Sequence, residues 1–172
     1  MNIFPIVVLY NVDFHESNVY HTLLSHYPKL RVLLYENSPM PQNKCYESDV
    51  VCYYHDSQNG GVSAAYNYGA SIAKHLSDID AVLLLDEDTK FEADYISILQ
   101  MALSAHSDIS LFVPQILYAC SLPFSPIRRG FRWKRWEKLP EGVYKLDDYL
   151  PVNSGACIRL SAFEQVGGYN DL

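Results

Sequence analysis

Two carboxylates two positions apart, Asp86 and Asp88, follow directly on the apolar run Ala81–Leu85. At the exposed end of a buried strand such a pair can hold a hard divalent cation, Mg2+ or Mn2+, which in turn neutralises a diphosphate. In a chain of net charge −7, an anionic ligand needs that cation to offset repulsion. Acidic residues are also favoured at helix starts, so the pair alone leaves a solvated loop before a helix equally open. Three further polar groups follow apolar runs in the same way: Asn11 with Asp13, Glu36 with Asn37, and Asn59 with Gly60 and Gly61. Each alone is ordinary turn chemistry. Four such groups at one sheet edge would form a ligand crevice.

The elements that must carry them can be read from periodicity. Ile3–Tyr10 is a strand buried on both faces, as parallel sheets require. Phe14 to Tyr27 has helical spacing, with Val19, Leu23 and Leu24 on one side. Leu30–Tyr35 and Val50–Tyr54 are two more strands, the first broken by Glu36-Asn37-Ser38-Pro39. Val62, Ala65, Tyr66, Gly69, Ala70 and Ala73 recur at helical spacing, with small side chains suited to close packing on a sheet. Ala81–Leu85 is a fourth strand. Thr89 and Glu92 have the spacing of a capping box, ahead of a helix that buries Tyr95, Ile98, Leu99, Ala102 and Leu103. Ser110–Val113 and Ala156–Leu160 are further strands, and Ser161–Val166 begins a short helix. Alternating strand and helix through about residue 115 predict an α/β fold, a mostly parallel sheet flanked by helices. From Cys120 to Pro151 the pattern loosens into a long loop region.

Composition bounds the function. With 49% hydrophobic and 19% charged residues in 172, the chain suits one globular domain, 1–172. The net charge argues against nucleic acid as a partner. Four cysteines form no C-x-x-C pair, which argues against zinc. Ile3–Tyr10 is too short to span a bilayer, and no signal peptide precedes it, so a cytoplasmic setting is expected.

Val8-Leu9-Tyr10-Asn11, Glu36-Asn37-Ser38, Asn59-Gly60-Gly61-Val62-Ser63-Ala64-Ala65-Tyr66-Asn67-Tyr68-Gly69 and Leu83-Leu84-Leu85-Asp86-Glu87-Asp88-Thr89 agree in order and spacing with one family. Asn153-Ser154-Gly155-Ala156 and Gly167-Gly168-Tyr169 extend the agreement over nearly the whole chain. The chain resembles glycosyltransferase family 2, the inverting enzymes of GT-A, Rossmann-like fold. Leu-Leu-Asp-Glu-Asp-Thr followed by Phe112-Val113-Pro114-Gln115 is similar to its rhamnosyltransferase-like branch. The resemblance implies a nucleotide-binding half, 1–115, and a partial acceptor-side half, 116–172. It implies nucleotide contacts from Asn11, Glu36, Asn59, Gly61, Asn67 and Asp86, with Asp86 on the ribose and Glu36 on base or ribose. Glu36 departs from the family's usual aspartate. Asp88 would bind Mg2+ or Mn2+ on the diphosphate, and Ser154, Gly155 and Ala156 would line the donor-sugar and acceptor side. The implied substrates are a nucleoside-diphosphate sugar (UDP- or dTDP-linked) and a glycan or lipid-linked acceptor, in cell-surface polysaccharide or glycan synthesis.

In that family the general base follows the Gly-Gly-aromatic segment, so the catalytic base is expected beyond Leu172, and the fold reads as C-terminally truncated. A nucleotide-sugar-binding module without transfer activity is therefore the alternative. A sugar nucleotidyltransferase would need a Gly-rich basic loop where Asn11-Val12-Asp13-Phe14 stands. Outside the family pattern, Arg128, Arg129, Arg132, Lys134, Arg135 and Lys138 interleave with Phe131, Trp133 and Trp136. This stretch suits a solvated loop, a contact for phosphate on a lipid-linked acceptor, or an interfacial membrane patch.

Overall fold

A computed structural model describes residues 1–118, 122–128 and 139–170. Its centre is a six-stranded sheet in the order β3-β2-β1-β4-β10-β5. The strands are β1 (Ile3–Leu9), β2 (Val32–Glu36), β3 (Val51–His55), β4 (Ala81–Asp86), β5 (Leu111–Phe112) and β10 (Cys157–Arg159). β1 to β4 are mutually parallel, and β10 runs antiparallel to both β4 and β5. Every residue of β1 and β2 is buried, as expected of strands covered on both faces.

Period-two alternation divides these strands between two cores. Ile3, Val7 and Leu9 face one side, where they meet Phe14, Val19 and Leu23 and, from the helix α3 (Tyr95–Ala105), Ile96, Leu99 and Leu103. Phe4, Ile6 and Val8 face the other, against Ala65, Tyr66, Ala70 and Ala73 of α2 (Gly61–His75) and Phe163 of α4 (Leu160–Gln165). The sheet is doubly wound. The chain steps outward from β1 to β2 and β3, then returns to the opposite side of β1 at β4. That reversal is where open α/β sheets form a ligand crevice, beyond the carboxyl ends of the strands.

Several local expectations change. The helix expected over Phe14 to Tyr27 is three short pieces: 3-10 turns at Phe14–Glu16 and Leu24–His26 around α1 (Asn18–Thr22). Ser17 makes the break, with extended backbone and a hydroxyl that accepts from the Tyr20 amide and donates to the Phe14 carbonyl. The capping box does not form. α3 starts at Tyr95 behind Asp94, and the Thr89 hydroxyl is spent on that of Ser154 (2.7 Å). Ile98 and Val62 are exposed, because the faces of α3 and α2 that reach the sheet carry Ile96 and Ala65 instead.

The described residues after 115 form more regular structure than their composition suggests. β6 (Ile116–Tyr118) pairs with β7 (Leu122–Ser125), and β8 (Ile127–Arg128) with β9 (Tyr149–Leu150), both antiparallel. The same residues send β10 back into the main sheet between β4 and β5.

Candidate functional site at the sheet's carboxyl edge

Parallel register brings the expected residues to one edge. Leu9 lies opposite Glu36, Val8 opposite Asp86, and Glu36 opposite His55. The loops that leave these ends are tied together, with the Asn37 amide bonded to the Leu9 carbonyl (2.8 Å) and the Asn11 amide to the Ser38 hydroxyl (2.8 Å). Asn11 is exposed there, with a left-handed backbone (φ 55°).

The 86–89 turn is held from below by α1. The Val19 amide bonds the Glu87 carbonyl, and the Asn18 side chain bonds the Asp88 carbonyl (2.8 Å). Asp88 is exposed and Asp86 half-buried. Burial pushes the Asp86 carboxyl up, and the Asp88 charge adds to this; bonds from Ser154 and Tyr66 partly oppose the rise. Among the described residues, no three His, Cys, Asp or Glu side chains gather as a metal-ligand set. One exposed carboxylate beside a half-buried one suits an ion that takes its other ligands from phosphate and water. Next to this turn lies a cleft of ≈330 Å³ lined by Tyr66, Asp86, Thr89, Asn153 and Ser154, with Ile116 and Phe124 of the β6–β7 ribbon opposite.

Glu36 is a correction. Its carboxylate is fully buried and accepts from the backbone amides of Gln42 and Asn43, the Asn43 side chain and the Tyr53 hydroxyl (2.6 Å). Burial would raise its pKa, but the bonds from Tyr53, Gln42, Ser38 and Asn43 outweigh that and hold it below the ordinary value. It has no surface to offer base or ribose; it anchors the 37–46 loop. Asn43, which the sequence did not single out, completes the anchor by donating to the Val12 carbonyl and accepting from the Phe14 amide. Beside it, Asn37 is 4% exposed and its Oδ1 has no hydrogen-bond partner.

Asn59 (φ 50°) and Gly61 (φ 76°) form the turn into α2. Asp56 builds that turn, accepting from the Gln58 and Gly60 amides and from the Tyr35 hydroxyl (2.8 Å). A Cβ on Gly60 would sit 2.9 Å from both Asp56 Oδ2 and Ala64 Cβ, so only glycine fits.

Asn67 is a second correction. Its side-chain amide donates to the Tyr169 carbonyl and accepts from the Tyr169 amide (both 2.8 Å), so both ends of the carboxamide are bonded to Tyr169. The third concerns the 154–156 group. Ser154 lines the cleft, whereas Gly155 is wedged against Pro114 and Phe91, and Ala156 is buried in the core between β4 and α2. The antiparallel entry of β10 explains both results. It delivers Ser154 to the carboxyl end of β4, then dives into the sheet, with the Gly155 amide on the Leu84 carbonyl (2.7 Å).

Of the basic and aromatic stretch, Arg128 is exposed at the end of β8 and the rest, 129–138, lies outside the described residues, as does Asp171. Among the described residues, no helix is long and apolar enough to cross a membrane.

Similarity to known proteins follows this geometry. No curated protein sequence matches the chain. Among solved structures it is similar to TarS 1-349 of S. aureus (12% identity, TM-score 0.62, 99% of this chain and 51% of that one). It is similar also to a longer TarS structure (14%, 0.66, 99% and 31%) and to TarS 1-349 in complex with UDP (13%, 0.64, 99% and 51%). At such identity the likeness is one of fold, and the chain spans between 31% and 51% of those structures. The model of glycosyl transferase family 2 matches residues 7–167. With the doubly wound sheet, the Asp86–Asp88 turn and that match in place, this chain belongs to glycosyl transferase family 2.

Proposed function

We propose that the chain binds a nucleoside-diphosphate sugar at the carboxyl edge of the sheet and serves an inverting glycosyltransferase of surface-glycan synthesis. The observation that carries the reading is the meeting of Asp86 and Ser154 in one cleft, with Asp88 exposed on the adjoining turn, at the reversal of strand order. Family membership and the UDP complex of a structure with this fold support it. In the transfer, an acceptor hydroxyl oxygen attacks the anomeric carbon from the face opposite the diphosphate. The carbon–oxygen bond to the diphosphate breaks, its electron pair leaves on the phosphate oxygen, and a base takes the hydroxyl proton.

Asp86, half-buried and bonded to Tyr66, holds the ribose hydroxyls. Asp88 is the ligand for Mg2+ or Mn2+, which when bound supplies charge neutralisation to the leaving diphosphate. Asn11, Asn59 and Gly61 flank the nucleotide with backbone and side-chain polar groups. For the base, Asn11, exposed at the end of β1, is the candidate. The Arg128–Lys138 stretch is assigned to anionic head groups near a lipid-linked acceptor.

Thermal shift with UDP, dTDP and GDP, with and without Mn2+, tests the donor reading. At a hundredfold excess over Kd, binding adds about 2.7 kcal/mol, which for a domain of this size raises Tm by roughly 5–10 °C. The UDP and dTDP shifts should require Mn2+, and Asp88→Asn should reduce them to the metal-free value while its own Tm without ligand stays unchanged. Equal shifts in wild type and Asp88→Asn would remove the metal assignment. No shift with any nucleotide would remove the donor site.

A further inference from the structure

Asn67 and Tyr169 are 102 residues apart and joined by two hydrogen bonds, a side-chain amide pairing with a backbone peptide group as strands pair with each other. The fit leaves no room for a side chain at position 168. A Cβ on Gly168 (φ 80°) would lie 2.5 Å from Asn67 Oδ1. The clasp holds the Tyr169 ring against Tyr66 (centroids 5.4 Å) and Phe163 (5.8 Å), which fixes where its hydroxyl ends. That hydroxyl donates to Asn153 Oδ1 (2.9 Å). Burial raises the Tyr169 phenol's pKa, so it keeps its proton at neutral pH.

Asn153 lines the cleft beside Asp86 and Ser154. A carboxamide has one acceptor end and one donor end. With its oxygen taken by Tyr169, Asn153 has its NH2 group left for a ligand, and its orientation is set from outside the cleft. We infer that Tyr169, clasped by Asn67, is a positioning residue for sugar recognition: it commits Asn153 to presenting an N–H donor to a hydroxyl oxygen of the transferred sugar. The inference rests on the donor reading above and assigns its sugar subsite. The clasp also gives a physical reason for the small pair Gly167-Gly168, both at φ 80°, before an aromatic residue.

Calorimetry with UDP, UDP-glucose, UDP-galactose and UDP-N-acetylglucosamine, all with Mn2+, tests it. The readout is the ratio of the best sugar nucleotide's affinity to that of UDP. Tyr169→Phe keeps the ring and the backbone bonds to Asn67 and removes only the hydroxyl. Its UDP affinity and Tm should stay at wild-type values while the ratio falls about fivefold, the weight of one hydrogen bond. Asn153→Asp, which replaces the NH2 donor with an acceptor, should lower the ratio at least as far. The double variant should lose no more than Asn153→Asp alone, since both act through one contact. Asn67→Ala should lower the ratio and the Tm together. An unchanged ratio in Tyr169→Phe, or additive losses in the double variant, would overturn the inference while UDP binding left the donor reading intact. A wild-type ratio of one for every sugar would overturn it too, because there would be no sugar contact to position. Failure of wild type to bind UDP at all would sink the donor reading itself.

Discussion

Glu36 and Asn37 are neighbours at the end of β2, and their opposite circumstances show how side-chain length decides a role. The longer carboxylate of Glu36 reaches back under the 37–46 loop and collects amide and hydroxyl donors there. The carboxamide oxygen of Asn37 finds none. Glu36→Ala strands several buried donors, so it should cost roughly 2–4 kcal/mol, read as a lower urea midpoint with unchanged slope. The carboxyl is held below its ordinary 4.5. Its contribution is therefore fully present above that value and is lost as pH falls through the lower folded value. Wild-type stability should decline with acidification below about pH 4.5 more steeply than that of Glu36→Gln. If Glu36→Ala leaves stability unchanged and weakens UDP binding, Glu36 is a ligand contact and the anchor assignment is wrong.

At the scale of elements, the approach of α2 to β1 sets the edge's shape, because α2 carries Tyr66 to Asp86 and Asn67 to Tyr169. Gly69 allows that approach. A Cβ there would stand 2.4 Å from Ile6 Cδ1 and 2.5 Å from Cγ1, and Ile6 is fully buried. Alanine in place of glycine gains up to about 1 kcal/mol of helix propensity, while overpacking a rigid core costs typically 1–3 kcal/mol. The clash involves a branched side chain flanked by sheet backbone, so the cost should win. Gly69→Ala is expected to lower stability by about 1–2 kcal/mol, and Ile6→Val in the same chain should recover part of it by removing Cδ1. A Gly69→Ala variant more stable than wild type would mean that α2 shifts freely on the sheet.

On the scale of the whole molecule, charge and apolar surface are unevenly divided. The chain carries a net −7, yet six of its 13 basic residues fall within 128–138. Exposed residues on either side of this stretch mix apolar side chains with the acids Glu141, Asp147 and Asp148. Leu117, Tyr118 and Leu122 on the β6–β7 ribbon and Leu150 on β9 are all exposed. Each basic residue near an anionic bilayer contributes about 1 kcal/mol, enough for six to hold an acidic protein at low salt. Flotation should recover the protein with vesicles containing anionic phospholipid and not with zwitterionic ones. Substitution of the six basic residues by Gln should abolish the difference. Equal recovery with both lipids would assign the stretch to solvent.

The amino-acid sequence by itself determined the succession of β1 to β4 along the chain, the helix α2 and the presence of Asn11, Asn59, Asp86 and Asp88 beyond strand ends. These are local properties: an apolar run followed by turn residues has one reading wherever it occurs. Tertiary structure alone decided which polar groups remain available at the edge. Glu36 and Asn67 have the composition of ligand residues, but partners six to 102 positions away consume them. Nothing in the residues flanking either one encodes those partners. The same holds for β10, whose antiparallel insertion beside β4 puts Ser154 in the cleft and buries Ala156 two residues later. Its direction depends on the path from β5 through two ribbons, a long-range closure that periodicity does not record.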